Sequence, residues 1–459
     1  MFKDIFNITN TENGHIAYNT TDSKLLNLFA SIGALRNRNE EECFRLFEEA
    51  YSEDKDLFKL LLLYARDIEY GLGEREIFRR GIKFLASKNE FIHIEQIEKI
   101  GRLDDLYAYF DTQYELTAGN FFKSRIKEDL NSENPSLLGK WLKSENATSK
   151  ETKRLARKTM QLLGFTPRQY RKVLTKLRNK IKIIEHNVTT ENFDNVNYEQ
   201  VPSLAMIKYS NVFNKKDPKF TEYKNLLKEG KVKVNNKVYP YEIYRAINAD
   251  NQEVLEAQWN NLPDLIGNHN AIVMADVSGS MEGTPMQMSI SLALYFAERN
   301  KGELKNKFIT FSEKPSFVTI KGSNLLEKFS SIQNSEWGYN TDLNSAFKLM
   351  LERCKALNVK PDEIPEYFII ISDMEIDVAD ENKFLYDELK DLFEENGYKI
   401  PKLVYWNVNS RHDIFLQKDN CILVSGASIN VFKGLFESDC NPYKFMINTL
   451  EKYYNLRFK

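Results

Sequence analysis

Three short stretches of this chain carry side chains that can do chemistry with hard cations. Asp276-Val-Ser278-Gly-Ser280 sets a carboxylate and two hydroxyls at alternate positions, Thr341 adds a third hydroxyl, and Asp373 adds a second carboxylate. Oxygen donors of this kind suit Mg²⁺, or another divalent cation such as Ca²⁺ or Mn²⁺, rather than a thiolate-seeking metal. Taken alone, the first stretch has a plainer alternative reading as a capped loop before a helix.

The elements around these residues decide whether they can meet. Asn270-Ala-Ile-Val-Met-Ala is a short apolar run that reads as a buried strand ending at Asp276, and Pro285 opens an amphipathic helix running to about Asn300. Strands follow at Lys307–Ser312 and Ser316–Ile320, then a short helix at Asn324–Ser331 and a longer one from Asp342 to Leu357. Tyr367–Ser372 is a second strand that ends at an aspartate, Asp373. A helix over Asn382–Glu395, strands at Lys402–Trp406 and Cys421–Val424, and helices from Ile429 and Pro442 complete the pattern. Strands alternating with helices predict an α/β doubly wound, mostly parallel sheet over residues 268–459. Parallel strands bring their carboxyl ends to one edge, so the three oxygen-bearing loops are expected to converge there.

Residues 1–265 read differently. From Asp22 to about Leu130 apolar residues recur at three- and four-residue steps, as in Leu25, Leu26, Leu28, Phe29 and Ile32. This predicts an all-α module of short stacked helices, a helical-repeat or HEAT-like solenoid. Gly71-Leu-Gly-Glu-Arg75 lacks a preceding strand and a P-loop lysine, so it is expected to be a helix cap and turn rather than a nucleotide cradle. Gly101-Arg-Leu-Asp-Asp-Leu106 has the same character.

Residues 137–183 hold fourteen lysines and arginines against only Glu145 and Glu151. On Pro167–Ile183, Tyr170, Val173, Leu174, Leu177 and Ile181 share a core-facing stripe, which leaves most of the basic residues on the open side. Lys153, Arg154, Arg157, Arg168, Arg171, Lys172, Lys176 and Arg178 are the candidates for contact with nucleic-acid phosphates. The alternative is a solvated face balanced by the acidic stretch 362–395, which has thirteen aspartates and glutamates. Trp141, Phe165 and Tyr170, interleaved with the charges, are expected in the core. Further on, Lys231–Tyr239 alternates around Asn235-Asn236 and predicts a small hairpin, Tyr241–Ala257 predicts a helix, and Pro263–His269 is the candidate boundary between the halves.

The totals exclude little. Net charge is −2, and 42% hydrophobic residues suffice for sizeable cores. The four cysteines lack metal or disulfide spacing, the first residues lack a signal-peptide pattern, and no apolar run is long enough to span a membrane. A cytoplasmic location is the expectation. The five histidines are scattered and no P-loop sequence occurs, so no catalytic activity is expected.

With its motifs placed, the second half resembles the von Willebrand factor A domain with its metal-ion-dependent adhesion site. Asp276-x-Ser278-x-Ser280 matches the first motif of that site, Thr341 the second and Asp373 the third. The resemblance implies that Ser278, Ser280 and Thr341 bind Mg²⁺ through their hydroxyls. It implies that Asp276 and Asp373 act largely through water, and that the carboxylate of a protein ligand can complete the coordination. In the first half, Gly71–Arg75, Gly101–Leu106 and Tyr170-Arg-Lys-x-Leu174-x-x-Leu177-Arg178 resemble a family related to the TROVE-containing Ro autoantigens, which join helical repeats to such a domain. That resemblance implies binding of structured or single-stranded RNA.

Overall fold

The computed structural model describes residues 8–10, 16–18 and 23–457, apart from 182, 302–303, 311–314, 334–342, 357, 362, 375–384, 410–419 and 439. Two short strands, β1 (Ile8–Asn10) and β2 (Ile16–Tyr18), pair antiparallel before the helices begin.

Fourteen α-helices fill the first half of the described chain. They are α1 (Lys24–Ser31), α2 (Glu40–Glu53), α3 (Lys55–Arg66), α4 (Arg75–Ser87), α5 (Ile94–Ile100), α6 (Glu115–Asn131) and α7 (Leu138–Trp141). Then come α8 (Lys150–Leu163), α9 (Pro167–Lys180), α10 (Ile184–Thr190), α11 (Ser203–Lys216), α12 (Pro218–Lys228), α13 (Pro240–Ala246) and α14 (Gln252–Asn260). Their starts follow capping chemistry. The side chains of Ser23, Asn39, Asp54, Ser149 and Thr166 each accept from a backbone N–H of the first turn, and Pro167 occupies the first turn of α9.

Two local expectations are corrected. Residues 231–239 form no strands, because side chains take the backbone groups a hairpin ladder would use. Tyr223 donates to the Lys233 carbonyl, Ser203 and Gln258 donate to the Asn235 carbonyl, and Glu199 accepts from Lys233 N. The helix expected over Tyr241–Ala257 is two helices, α13 and α14. Asn251 closes the gap by donating to the Ala246 carbonyl and accepting from Asn248 N, a side-chain substitute for helical bonds.

The second half is a six-stranded sheet with the order β5-β4-β3-β6-β7-β8. Its strands are β3 (Ala271–Ala275), β4 (Lys307–Thr310), β5 (Phe317–Thr319), β6 (Tyr367–Ser372), β7 (Lys402–Asn407) and β8 (Cys421–Ser425). Every pairing is parallel except that of β5 with β4. Counted from β3, the order is third, second, first, fourth, fifth, sixth, the doubly wound arrangement that reverses direction beside its first strand. β3, β6 and β8 are buried along their whole length, as a sheet covered on both faces requires. Val273, Ile369, Trp406 and Val424 face one layer, while Ile272, Ile370, Tyr405 and Leu423 face the other with Phe347 and Leu389. The latter two belong to α17 (Leu343–Ala356) and α18 (Leu385–Glu395), and α16 (Leu325–Gln333) precedes them.

The first layer centres on α15 (Thr284–Arg299), the helix after β3. An amphipathic helix is expected here, but Met288 to Ala297 is buried on every side. The reason is tertiary: one side packs on β3, β4 and β6, and α13 from the first half covers another.

The halves therefore share one apolar core. α1 packs against β8 and against the last helix, α19 (Pro442–Arg457), which also packs on α3. Phe29 stacks on Tyr64 at 5.4 Å and meets Phe445 edge-on at 5.2 Å. Gly33 N donates to Ser425 Oγ at 3.0 Å and Tyr453 Oη to Asp67 Oδ2 at 3.0 Å. A Cβ at Gly33 would lie 2.4 Å from the Ser425 carbonyl oxygen, so this backbone approach needs glycine. No helix among the described residues is long and apolar enough to cross a membrane.

Candidate metal centre and basic helix faces

β3 and β6 are adjacent and in register through Ala275 and Ile371, and Asp276 N continues the ladder by donating to the Ile371 carbonyl at 2.9 Å. Asp276, Ser372 and Asp373 thus leave the sheet side by side at its carboxyl edge. β4 lies on the other flank of β3, so this is the point where the winding reverses, the usual ligand crevice of such sheets.

Asp276 is fully buried. Its Oδ1 accepts from Ser278 N at 2.8 Å and its Oδ2 from Ser372 Oγ at 2.7 Å. Burial above all, with the charge of Asp373 as a further contribution, pushes its carboxyl up to about 6. The Ser278 and Ser280 hydroxyls lie 3.1 Å apart, in the turn leading to α15. Asp373 is buried, and Met374 after it adopts a left-handed φ of 72° that turns the chain away from the strand. Thr341 lies outside the described residues.

These residues fit a hard divalent cation. Two buried carboxylates and two adjacent hydroxyls are oxygen donors only, and the charge of Asp373 raises the cost of ionising Asp276, which a positive charge between them would offset. Both oxygens of Asp276 already accept hydrogen bonds, which suits a carboxylate that acts through water and orients its neighbours. Among the described residues no group of three His, Cys, Asp or Glu is placed to hold a metal. The donor set just described, two carboxylates with hydroxyls, has a different composition.

Ser372 touches this donor set, a contact that the motif spacing does not reveal. It donates to Asp276 and accepts from Met374 N at 3.0 Å, tying the first carboxylate to the turn that presents the second. The available signal is a polar residue closing an otherwise apolar strand. Asn407 and Ser425 end β7 and β8 in the same way, both buried and aligned with each other.

The basic span resolves into two classes. Lys140 pairs with Glu185, Arg154 with Asp111 and Glu151, Lys158 with Asp111 and Glu115, and Arg171 with Glu145. Arg178 donates to the carbonyls of Gly139 and Leu142, and Lys180 to those of Leu130 and Ser132, so both cap helix ends. Lys150, Lys153 and Arg157 on α8, and Arg168, Lys172 and Lys176 on α9, have no hydrogen bond or ion pair with the described residues. Their three- and four-residue spacing puts each trio on one helix face. Below them Tyr170, Leu174, Leu177 and Ile181 are buried as expected, while Trp141 and Phe165 are half-buried. Among the described residues the acids that pair with this span lie between Asp104 and Glu185, and none lies in 362–395. Residues 375–384 of that acidic stretch are outside the description.

Two family models match the chain. One, described as a domain of unknown function (DUF2828), covers residues 136–270. The other, also a domain of unknown function (DUF7788), covers residues 270–446. Their boundary falls one residue before β3. The chain is also 30% identical, over 506 aligned positions, to an uncharacterized protein of Acanthamoeba polyphaga mimivirus, spanning 97% of this chain and 88% of that one.

Proposed function

The chain belongs to the same family as that mimivirus protein, and for it we propose a non-catalytic, Ro-like RNA-binding scaffold whose von Willebrand factor A-like half holds a divalent cation. The observation that carries this reading is the meeting of Asp276, Ser278, Ser280 and Asp373 at the point of the sheet edge where the winding reverses. In this reading Ser278, Ser280 and Thr341 offer hydroxyl ligands, and Asp276 and Asp373 hold bound water. Ser372 fixes Asp276. When bound, Mg²⁺ supplies a hard positive charge to which an oxygen of a partner can join.

The unengaged trios on α8 and α9 support the RNA half of the reading. Six cations with no hydrogen bond or ion pair to the described residues, on two helix faces, suit a polyphosphate backbone. Part of the basic span serves the fold instead, which favours a second reading, a metal-dependent protein-interaction module without RNA binding. Thermal melting of the full chain with and without magnesium tests the cation site. Wild type is expected to be stabilised, and the double variant Ser278→Ala, Ser280→Ala is not. RNA affinity after reversal of the α9 trio separates the two readings.

A further inference from the structure

The helices on either side of the Gly71–Arg75 corner, α3 and α4, are joined to the Gly101–Leu106 turn by two buried aspartates. Asp105 accepts from Arg66 Nε at 2.7 Å and Arg79 Nε at 2.8 Å. Asp104 accepts from Arg79 and Arg102, each at 2.8 Å, with Lys143 Nζ at 3.9 Å. Arg75 stands beside them. Five cations therefore face Asp104, Asp105 and the exposed Glu76, which Arg79 also contacts, leaving an excess of positive charge.

Two of these guanidiniums are incompletely used. Arg75 has no hydrogen bond or ion pair with the described residues. Burial, then the charges of Arg102 and Arg79, pull its pKa down. Arg66 is only 4% exposed, yet its sole hydrogen bond is through Nε, so its two terminal nitrogens have no acceptor among the described residues.

Arg66, Arg75 and Arg102 line a cavity of about 590 Å³ between segments 66–75, 100–102 and 236–242 of the helical half and segment 428–433 of the second half. That size suits a small ligand. The same cavity is lined by Ile68, Tyr70 and Leu204, large apolar side chains left 44%, 60% and 52% exposed. Its acids contribute little free negative charge. Glu69 is paired with Lys237, and burial pushes the Glu242 carboxyl up.

We propose that this cavity binds a nucleoside phosphate, its phosphate on Arg66, Arg75 and Arg102 and its base against Tyr70 and Leu204. Guanidiniums match phosphate oxygens in geometry and charge, and an aromatic ring offers a face to any base. The Gly-x-Gly corner is no cradle. A Cβ at Gly71 would lie 2.0 Å from the Tyr64 carbonyl oxygen, so that glycine packs on protein backbone. The ligand is either a free nucleotide or the phosphorylated end of a strand. Neither requires the cation site or the basic faces of α8 and α9.

The test is calorimetric titration of the full chain with AMP, adenosine, inorganic phosphate and a 5′-phosphorylated trinucleotide. AMP or the trinucleotide should bind more tightly than adenosine or phosphate, and Arg75→Glu and Tyr70→Ala should each weaken binding about tenfold or more. Arg75→Gln should give a similar loss, which covers the case in which charge reversal unfolds the chain. Tighter binding of AMP identifies a free nucleotide and tighter binding of the trinucleotide a strand end; either upholds the site. Absence of binding by both, or affinity unchanged in Arg75→Glu, Arg75→Gln and Tyr70→Ala, overturns it.

Discussion

Ser372 Oγ donates to Asp276 Oδ2 at 2.7 Å between the two central parallel strands of the sheet. Through its second bond, from Met374 N, the same hydroxyl fixes the turn beside Asp373. Ser372→Ala should leave a buried carboxylate without one donor and destabilise the chain by about 1–3 kcal/mol. It should also reduce stabilisation by magnesium, whereas Ser372→Thr keeps a hydroxyl and should retain much of both. Denaturant titrations with and without magnesium measure both effects, and an alanine variant equal to wild type in both would remove Ser372 from the site.

Reversing Arg168, Lys172 and Lys176 to glutamate should weaken binding of single-stranded RNA at least tenfold and flatten its salt dependence by about two logarithmic units per decade. Arg178→Ala should lower the melting temperature, because its guanidinium donates to the Gly139 and Leu142 carbonyls at 3.1 and 3.2 Å. Fluorescence anisotropy across a salt series, beside melting curves, separates these roles. RNA affinity that survives the triple reversal would favour the protein-interaction reading.

The Arg66–Asp105 pair is buried on both sides, with side-chain exposures of 5% and 0%. Removing one partner strands the other in the interior. Asp105→Ala should therefore cost about 3–5 kcal/mol, measured by chemical denaturation. A loss below 1 kcal/mol would mean that water or another group replaces the carboxylate.

Asp104 gives the acid limb of stability a defined sign. Burial opposes its ionisation, but the Arg102 hydrogen bond and the charges of Arg79, Arg102 and Lys143 outweigh this and hold its carboxyl below the usual range. A group depressed in the folded state stabilises above its unfolded pKa, and that contribution is lost as pH falls through the folded value. Asp104→Asn should accordingly flatten the decline of stability below about pH 4, as followed by denaturation at a series of pH values. An unchanged acid limb would contradict the assignment.

Much of the sheet edge could be read from sequence, because a strand ending abruptly in aspartate is a local signal. Asp276 and Asp373 were visible in this way, and so was the core stripe Tyr170, Leu174 and Leu177. Ser372 escaped because its role depends on β3 lying beside β6. The burial of α15 on all sides escaped because its second cover, α13, comes from the other half of the chain. Charge counting also could not separate Arg178, which caps a helix end, from Lys172, which has no side-chain partner among the described residues. That distinction depends on where α7 ends in space.

The cation site is tested most directly by counting bound ions. Titration of the full chain with Mn²⁺, followed by the loss of the free-ion paramagnetic signal, should give one site per chain that magnesium displaces. That site should be lost in the Ser278→Ala, Ser280→Ala variant while the fold is kept. Equal Mn²⁺ binding in variant and wild type, or none in either, would contradict the account.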